Sequence, residues 1–364
     1  MTKIIETSDI KTISIDVQRT DRTRINEIDF NNIQFGEVFS DHMFVVDFRD
    51  GEWENPKIMP YGNLPMSPAT AALHYGQAIF EGMKAYRGEN NEVLIFRPID
   101  NFKRLNRSAE RMCMPVIPEE LFMEALTGLL KIDRQWVPAI AGASLYVRPV
   151  MFGTDELIKV KTSEKYRFAI ITCPVGKYYL TPVKVKIETK YTRASAGGVG
   201  FAKAAGNYGA ALGPTKIAQQ QGYRQLIWTD SKEHKYIEEC GVMNIMFVIG
   251  DKLLTPSLDT NTILPGITRD SVLTLARDWG MNVEERRITI DEIIEACKNG
   301  TIKDAFGTGT AATIAHIAAI GYNGKDHILP PAENREFSNK VYEELEGIKR
   351  GKKQDLHDWV YRIE

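Results

Sequence analysis

The sequence predicts a mixed α/β protein of two domains with a cleft between them, and three observations carry this. The chain has 364 residues, long enough for about two to three domains. Its first half reads as strands with a few helices, whereas its second half alternates strands and helices. Between the halves, the stretch from Thr172 to Lys190 mixes Pro174, Gly176 and Pro182 with strand residues, which marks the best candidate for a domain connection. The expected bounds are 1–180 for an N-terminal α/β domain, 181–194 for the connection and 195–364 for a C-terminal domain. A cleft between two such domains is the default site.

In chain order, Met43 to Phe48 reads as a strand, and Lys84-Ala85-Tyr86 and Val93 to Phe96 are strands joined by a turn at Arg87 to Asn91. Asp100 to Met112 reads as a helix with Phe102, Leu105 and Ala109 on one face. Pro118-Glu119-Glu120 opens another through Leu121, Ala125, Leu129 and Leu130, with proline at a favoured first-turn position. Ser144 to Val150 and Phe168 to Cys173 are strands. Gly206 to Gln221 reads as a helix ended by Gly222, with a kink expected at Pro214. Leu226 to Thr229, Met246 to Ile249 and Lys252 to Thr255 are strands, and Thr268 to Trp279 is a helix with Gly280 past its end. Thr289-x-x-Glu292 is a capping box for the helix Ile290 to Lys298. The chain shows no repeat of fixed period and no low-complexity tract.

Hydrophobic residues are 43% of the chain, enough for a sizeable core. Lys+Arg 46 against Asp+Glu 48 leaves a net charge of -2, so no imbalance points to nucleic acid or an anionic membrane. Residues 1–24 alternate charged and apolar residues and lack a signal peptide's apolar core, and no apolar run approaches the about 18 residues of a membrane span. Cys113, Cys173, Cys240 and Cys297 form no C-x-x-C, and the six histidines contain no H-E-x-x-H. The expectation is reduced, mostly buried thiols, no metal site and a cytoplasmic location.

The densest chemical signal is Gly197-Gly198-Val199-Gly200-Phe201-Ala202-Lys203-Ala204-Ala205-Gly206-Asn207-Tyr208-Gly209. Such a lysine is either an ordinary loop residue or an amine that forms a Schiff base. Small neighbours leave room for a carbonyl partner, and desolvation lowers the amine's pKa towards a nucleophilic form. A nucleotide loop is the weaker reading, because G-x-x-x-x-G-K-[ST] is absent and no clean G-x-G-x-x-G follows a strand. Glu238-Glu239-Cys240 precedes an apolar strand, as solvated strand-entry carboxylates or as one carboxylate facing a pyridinium nitrogen. Leu264-Pro265-Gly266 leads into a helix whose first N–H groups, on Ile267 and Thr268, suit a phosphate. Phe306-Gly307-Thr308-Gly309-Thr310-Ala311-Ala312 offers hydroxyls and amides to a phosphate or a carboxylate. Each of these is otherwise a plain cap or turn. Arg104 by default is a solvated helix arginine, whereas Arg148, in the apolar strand Leu145 to Val150, needs an anion, fixed or transient.

Together these segments resemble the branched-chain-amino-acid aminotransferases of the fold type IV pyridoxal-phosphate class. The matching stretches are LHYGQAIFEGMKAY, IFRPIDNFKRLNRSAERM, SLYVRP, CPVGKYY, the lysine block from Arg193 through GNYG, EECGVMNI, ILPGITR and FGTGTA, in the family's order from Leu73 to Ala311. The resemblance implies a smaller N-terminal α/β domain, a larger C-terminal domain with a barrel-like sheet, and pyridoxal 5'-phosphate in the cleft, covalently on Lys203. It implies that Glu239 faces the pyridine nitrogen, that Tyr208 bonds the ring hydroxyl, and that Arg104, the amides of Ile267 and Thr268, and Thr310 hold the phosphate. Tyr146 and the Thr310–Ala311 amides would take the substrate's α-carboxylate, and Arg148 the distal carboxylate of glutamate or 2-oxoglutarate. Phe80, Tyr178 and Tyr208 would line an apolar side-chain pocket. Family members are homodimers, so Tyr75 would reach over from the partner subunit; Arg193 is similar to an arginine near the cofactor.

The implied activity is reversible ping-pong transfer of the amino group of L-leucine, L-isoleucine or L-valine to 2-oxoglutarate, with Lys203 as proton shuttle. There are departures from the family pattern. Val242 sits where many relatives carry a hydroxyl residue, and Met246 where an aromatic commonly follows Asn-Ile. Ala312 and Ala315 replace the C-x-x-C of mammalian members, so thiol redox control of that type is not expected. A D-amino-acid aminotransferase or an aminodeoxychorismate lyase would share the lysine and glutamate but lack the GNYG and SLYVRP combination. A non-catalytic nucleotide-binding protein would have no use for a carboxylate facing its base.

Overall fold

The computed structural model describes residues 14–30, 32–176, 178–179 and 181–363; most of the N-terminal stretch read above, residues 1–13, lies outside them. The first sheet is built from β1 (Asp16–Val17), β2 (His42–Arg49), β3 (Glu52–Pro60), β4 (Ala78–Phe80), β5 (Met83–Arg87), β6 (Val93–Phe96), β7 (Ser144–Gly153) and β8 (Tyr166–Val175). Its order is β1-β3-β2-β8-β7-β5-β6, with β4 laid along the far half of β7. The second sheet contains β9 (Val183–Ile187), β10 (Gln225–Thr229), β11 (Ile237–Cys240), β12 (Met243–Ile249), β13 (Lys252–Thr255), β14 (Asn282–Glu285), β15 (Ile302–Gly309), β16 (Thr313–Tyr322) and β17 (Lys325–Ile328). Because β11 pairs with both β10 and β12, the strands β11-β10-β9-β16-β15-β12 close into a six-stranded barrel. A last strand, β18 (Val360–Ile363), returns to the first sheet and pairs antiparallel with β6.

The helices are α1 (Ala71–Tyr75), α2 (Pro98–Arg111), α3 (Glu119–Ile132), α4 (Gly206–Gln220), α5 (Ile267–Asp278), α6 (Ile290–Lys298) and α7 (Glu336–Lys349). Side-chain alternation decides how the layers pack. On β12, Ile245 and Phe247 join the barrel interior, whereas Met246 and Val248 face out against Val272 and Ala276 of α5 and Leu345 of α7. A strand covered on both faces reads as a continuous apolar run, which is how Met246 to Ile249 stands out in the sequence. On the first sheet, Phe44 and Val46 pack in the core that holds Phe122 and Leu126 of α3, while Met43 and Val45 point the other way.

Some expectations change. Helix α4 runs through Pro214 without a break in its assignment, and only Pro214 and Ala218 are buried on it. The Thr289 hydroxyl accepts from the Glu292 amide at 3.1 Å, but the reciprocal half of the capping box is absent because Arg286 claims the Glu292 carboxylate. The stretch read as a connection carries β9, a strand of the barrel. All four cysteines are unpaired; Cys173 and Cys240 are buried, and Cys113 is exposed. Among the described residues, no helix is long and apolar enough to cross a membrane.

Candidate active site

A cavity of about 150 Å³ lies where β4, β7 and α2 face α4, the start of α5 and the β15–β16 turn. The lysine segment is fixed by its backbone. Phe80 N donates to the Lys203 carbonyl at 3.1 Å and Ala205 N to the Ala78 carbonyl at 3.0 Å, while Lys203 N donates to Ser108 Oγ at 2.9 Å. Close packing explains one of the small residues: a Cβ on Gly200 would lie 2.5 Å from the Thr262 carbonyl oxygen. Lys203 Nζ donates to the Tyr208 hydroxyl at 3.2 Å and lies 5.0 Å from the Phe80 ring centroid. The Phe80 and Tyr208 rings are 4.8 Å apart.

Glu239, on β11, is 3% exposed. Its Oε1 accepts from Leu264 N at 3.1 Å and from Asn244 Nδ2 at 3.2 Å, and its Oε2 lies 2.7 Å from Arg193 Nε. That last contact is a charge pairing rather than an aligned hydrogen bond. Arg193 is itself held by the Thr262 carbonyl. Burial pushes the Glu239 carboxyl pKa up, against the opposing pull of Arg193 and the Leu264 amide. This carboxylate therefore has room for a further cationic partner.

Arg104, on α2, is 4% exposed and is not a solvated helix arginine. Its Nε and Nη2 donate to the two carboxylate oxygens of Glu81 at 2.7 and 2.9 Å, and its Nη1 to the Pro265 carbonyl at 3.1 Å. One N–H on each terminal nitrogen is left for another acceptor. Helix α5 begins after an extended Gly266 with no side-chain cap, so the N–H groups of Ile267 and Thr268 have no partner inside the helix. The Thr308 hydroxyl is buried without a partner and lines the same cavity. Thr310 Oγ1 donates to the Gly82 carbonyl at 3.0 Å.

On β7, Arg148 Nη2 donates to the Tyr146 hydroxyl at 3.0 Å. Its guanidinium carbon lies 4.5 Å from the Phe80 ring centroid, and its Nε is buried without a partner. Tyr146 comes so close to Gly82 that a Cβ there would lie 2.0 Å from the hydroxyl. Phe35 packs edge-on against both Tyr146 and Tyr178, each at 5.1 Å.

Phe80, Arg104, Tyr146, Arg148, Tyr178, Lys203, Tyr208, Glu239, Ile267, Thr268, Thr310 and Ala311 all line this one cavity. Tyr75 does not; it sits on α1 at 39% exposure. The sequence reading offered the Thr308 hydroxyl within its turn but missed Glu81, Asn244 and Phe35. Glu81 and Asn244 had a signal, since a polar residue inside an apolar stretch must find a partner. Phe35 had none. The donor set suits an elongated aromatic ligand: free amides, guanidinium N–H groups and hydroxyls for an anionic end, a buried carboxylate for a cationic end, and an amine between two rings.

A family model for amino-transferase class IV matches residues 78–320. The chain is 45% identical over 340 residues to branched-chain-amino-acid transaminase 1 of Bacillus subtilis, covering 92% of this chain and 95% of that protein. It is 40% identical over 341 residues to the branched-chain-amino-acid aminotransferase of Mycolicibacterium smegmatis, covering 91% and 92%. Among solved structures, the branched-chain aminotransferase of Thermoproteus uzoniensis with norvaline aligns at a TM-score of 0.73 and 26% identity, over 89% of this chain and all of that one. The branched-chain amino acid aminotransferase of Thermobaculum terrenum, solved in its PLP-form, shares the fold at a TM-score of 0.69 and 22% identity, over 88% and 98%.

Proposed function

The chain belongs to the amino-transferase class IV family and, within it, to the branched-chain-amino-acid aminotransferases, and on that premise we propose how its own residues carry the reaction. The reaction is reversible transfer of the amino group of L-leucine, L-isoleucine or L-valine to 2-oxoglutarate, with pyridoxal 5'-phosphate joined covalently to Lys203. The observation that supports this most is the meeting, in one cavity, of the Lys203 amine, the buried Glu239 carboxylate and the uncapped start of α5. When bound, the cofactor supplies a carbonyl for the amine and a ring that accepts the electrons left when a proton departs Cα.

The protein does the rest. Once the substrate's amine has taken its place on the cofactor, Lys203 Nζ, oriented by the Tyr208 hydroxyl at 3.2 Å, would take the proton from the substrate's Cα and deliver it to the cofactor's C4′ carbon rather than back to Cα. Glu239, clamped by Arg193, Leu264 N and Asn244, holds a proton on the ring nitrogen. The Ile267 and Thr268 amides, Thr310 and the spare N–H groups of Arg104 bind the phosphate. Tyr146 and the Thr310–Ala311 amides take the α-carboxylate, and Arg148 the distal carboxylate of 2-oxoglutarate. Phe80, Tyr178 and Tyr208 accept the branched side chain. Tyr75, away from its own chain's cavity, acts in the site of a second copy in a homodimer.

The test is the visible absorption of the purified protein. It should bleach with L-leucine and recover with 2-oxoglutarate. Bleaching with a D-amino acid alone would overturn the substrate assignment, and no chromophore after incubation with pyridoxal phosphate would overturn the whole reading.

A further inference from the structure

The carboxylate-binding turn is held from behind by residues that have no part in the reaction as proposed. Lys84, on β5, is 8% exposed, and its Nζ donates to the Ala311 carbonyl at 2.7 Å, a bond from the first sheet to the β15–β16 turn. In a trans peptide the C=O and the N–H point opposite ways. Fixing the Ala311 carbonyl on Lys84 therefore turns the Ala312 N–H away from Lys84. Ala311 and Ala312 both line the catalytic cavity, and the amides of Thr310, Ala311 and Ala312 have no acceptor among the described residues.

The next residue is gripped from the same side. Thr313 has a φ of 59°, a conformation that β-branched residues rarely adopt. Its hydroxyl donates to Glu346 at 3.0 Å and accepts from Lys349 Nζ at 2.7 Å, both on α7. A second cavity of about 260 Å³ borders this cluster, reached by Lys84, Thr313, Glu346 and Arg350. Burial, with Lys349 and Arg350 nearby, pushes the Lys84 amine down to about 7, against Glu346 and Cys173. An apolar side chain would fill this position without that desolvation cost, so the lysine has a use beyond packing.

We propose that Lys84 is a positioning residue for substrate binding: by holding the Ala311 carbonyl it turns the Ala312 amide away from itself and anchors the turn that presents the Thr310 and Ala311 amides to the α-carboxylate that every substrate carries. This rests on the aminotransferase reading above. It separates Lys84 from Arg148, which of the two carboxylates would bind the distal one directly.

The experiment uses the full-length, cofactor-loaded enzyme with Lys84→Met and Lys84→Arg, reading the cofactor absorbance, kcat, and KM for L-leucine and for L-glutamate. In Lys84→Met, KM should rise about tenfold for both amino acids alike, with kcat changed less than about threefold, because uniform binding is lost. Lys84→Arg still presents an N–H to the carbonyl and should recover most of that loss. Unchanged KM values in a fully loaded Lys84→Met enzyme would overturn the proposal. Should Lys84→Met fail to fold, Lys84→Gln is titrated with 4-methylvalerate, a monocarboxylate without an amine, followed by the cofactor spectrum; affinity equal to that of the wild type would overturn it. A wild-type enzyme that fails to turn over leucine would instead sink the reading on which the proposal rests.

Discussion

Replacing Arg148 with Met should split the two substrates that share the cavity. One pocket must accept both an isobutyl group and a chain ending in a carboxylate. Arg148 can serve both, since its Nη2 is given to Tyr146 while its Nε is buried without a partner. A distal carboxylate would accept from that Nε and from a free terminal N–H. Charge-assisted hydrogen bonds contribute about 1.5–3 kcal/mol each, so losing two at the low end costs about 3 kcal/mol, or about 100-fold in kcat/KM for 2-oxoglutarate. Leucine makes no such bonds. Both substrates alike lose the Arg148 bond to the Tyr146 hydroxyl; beyond that shared loss leucine gives up only the guanidinium over the Phe80 ring at 4.5 Å, worth about 0.5–1 kcal/mol, and methionine keeps much of the apolar stem. Beyond that shared loss, leucine should therefore change by less than about fivefold. The assay is two single-turnover half-reactions, each followed by cofactor absorbance. Equal losses on the two substrates would refute the assignment of Arg148.

Lys203→Ala should abolish turnover while leaving the fold intact, and near-normal rates in that variant would remove Lys203 from its role. Glu239→Gln tests the buried carboxylate in the cofactor-free protein. The folded Glu239 pKa lies above its ordinary value, so its contribution to stability is present below the ordinary carboxylate range and is lost as pH rises through the folded pKa. Glu239→Gln should thus gain on the wild type in thermal midpoint as pH rises; a difference that stays constant with pH would contradict this. Glu81→Gln leaves the Arg104 charge buried beside a neutral amide and should lower unfolding free energy by about 3 kcal/mol, measured by urea denaturation. An unchanged midpoint would mean that the pair adds nothing to stability.

Much of the site was legible because its residues break local rules in recognisable ways: a lysine among glycines, an arginine in an apolar strand, a Pro-Gly turn directly before a helix. What escaped was partnership across long separations. Nothing local shows that Glu81 meets Arg104 or that Arg193 meets Glu239, because each pair is joined only when its own half folds, nor that Lys84 meets Ala311, because that contact depends on how the two sheets come together. The fold behaved the same way. The long periodic helices and the apolar strand β12 were readable from pattern alone. Strand β9 was hidden in a Pro- and Gly-rich stretch read as a connection, and the polar sequence before β18 gave no hint of a strand that belongs to the first sheet.

That last strand has a consequence for how the molecule is made. A ribosome emits β6 early, with one edge bare, and delivers β18, which covers that edge, only after the whole barrel has emerged. Until then the nascent first sheet presents unpaired backbone groups to any passing strand. The N-terminal half therefore completes its sheet only after the rest of the chain has been made. A chain stopped before Val360 would carry every group argued here to do chemistry and still lack the segment that seals its oldest part.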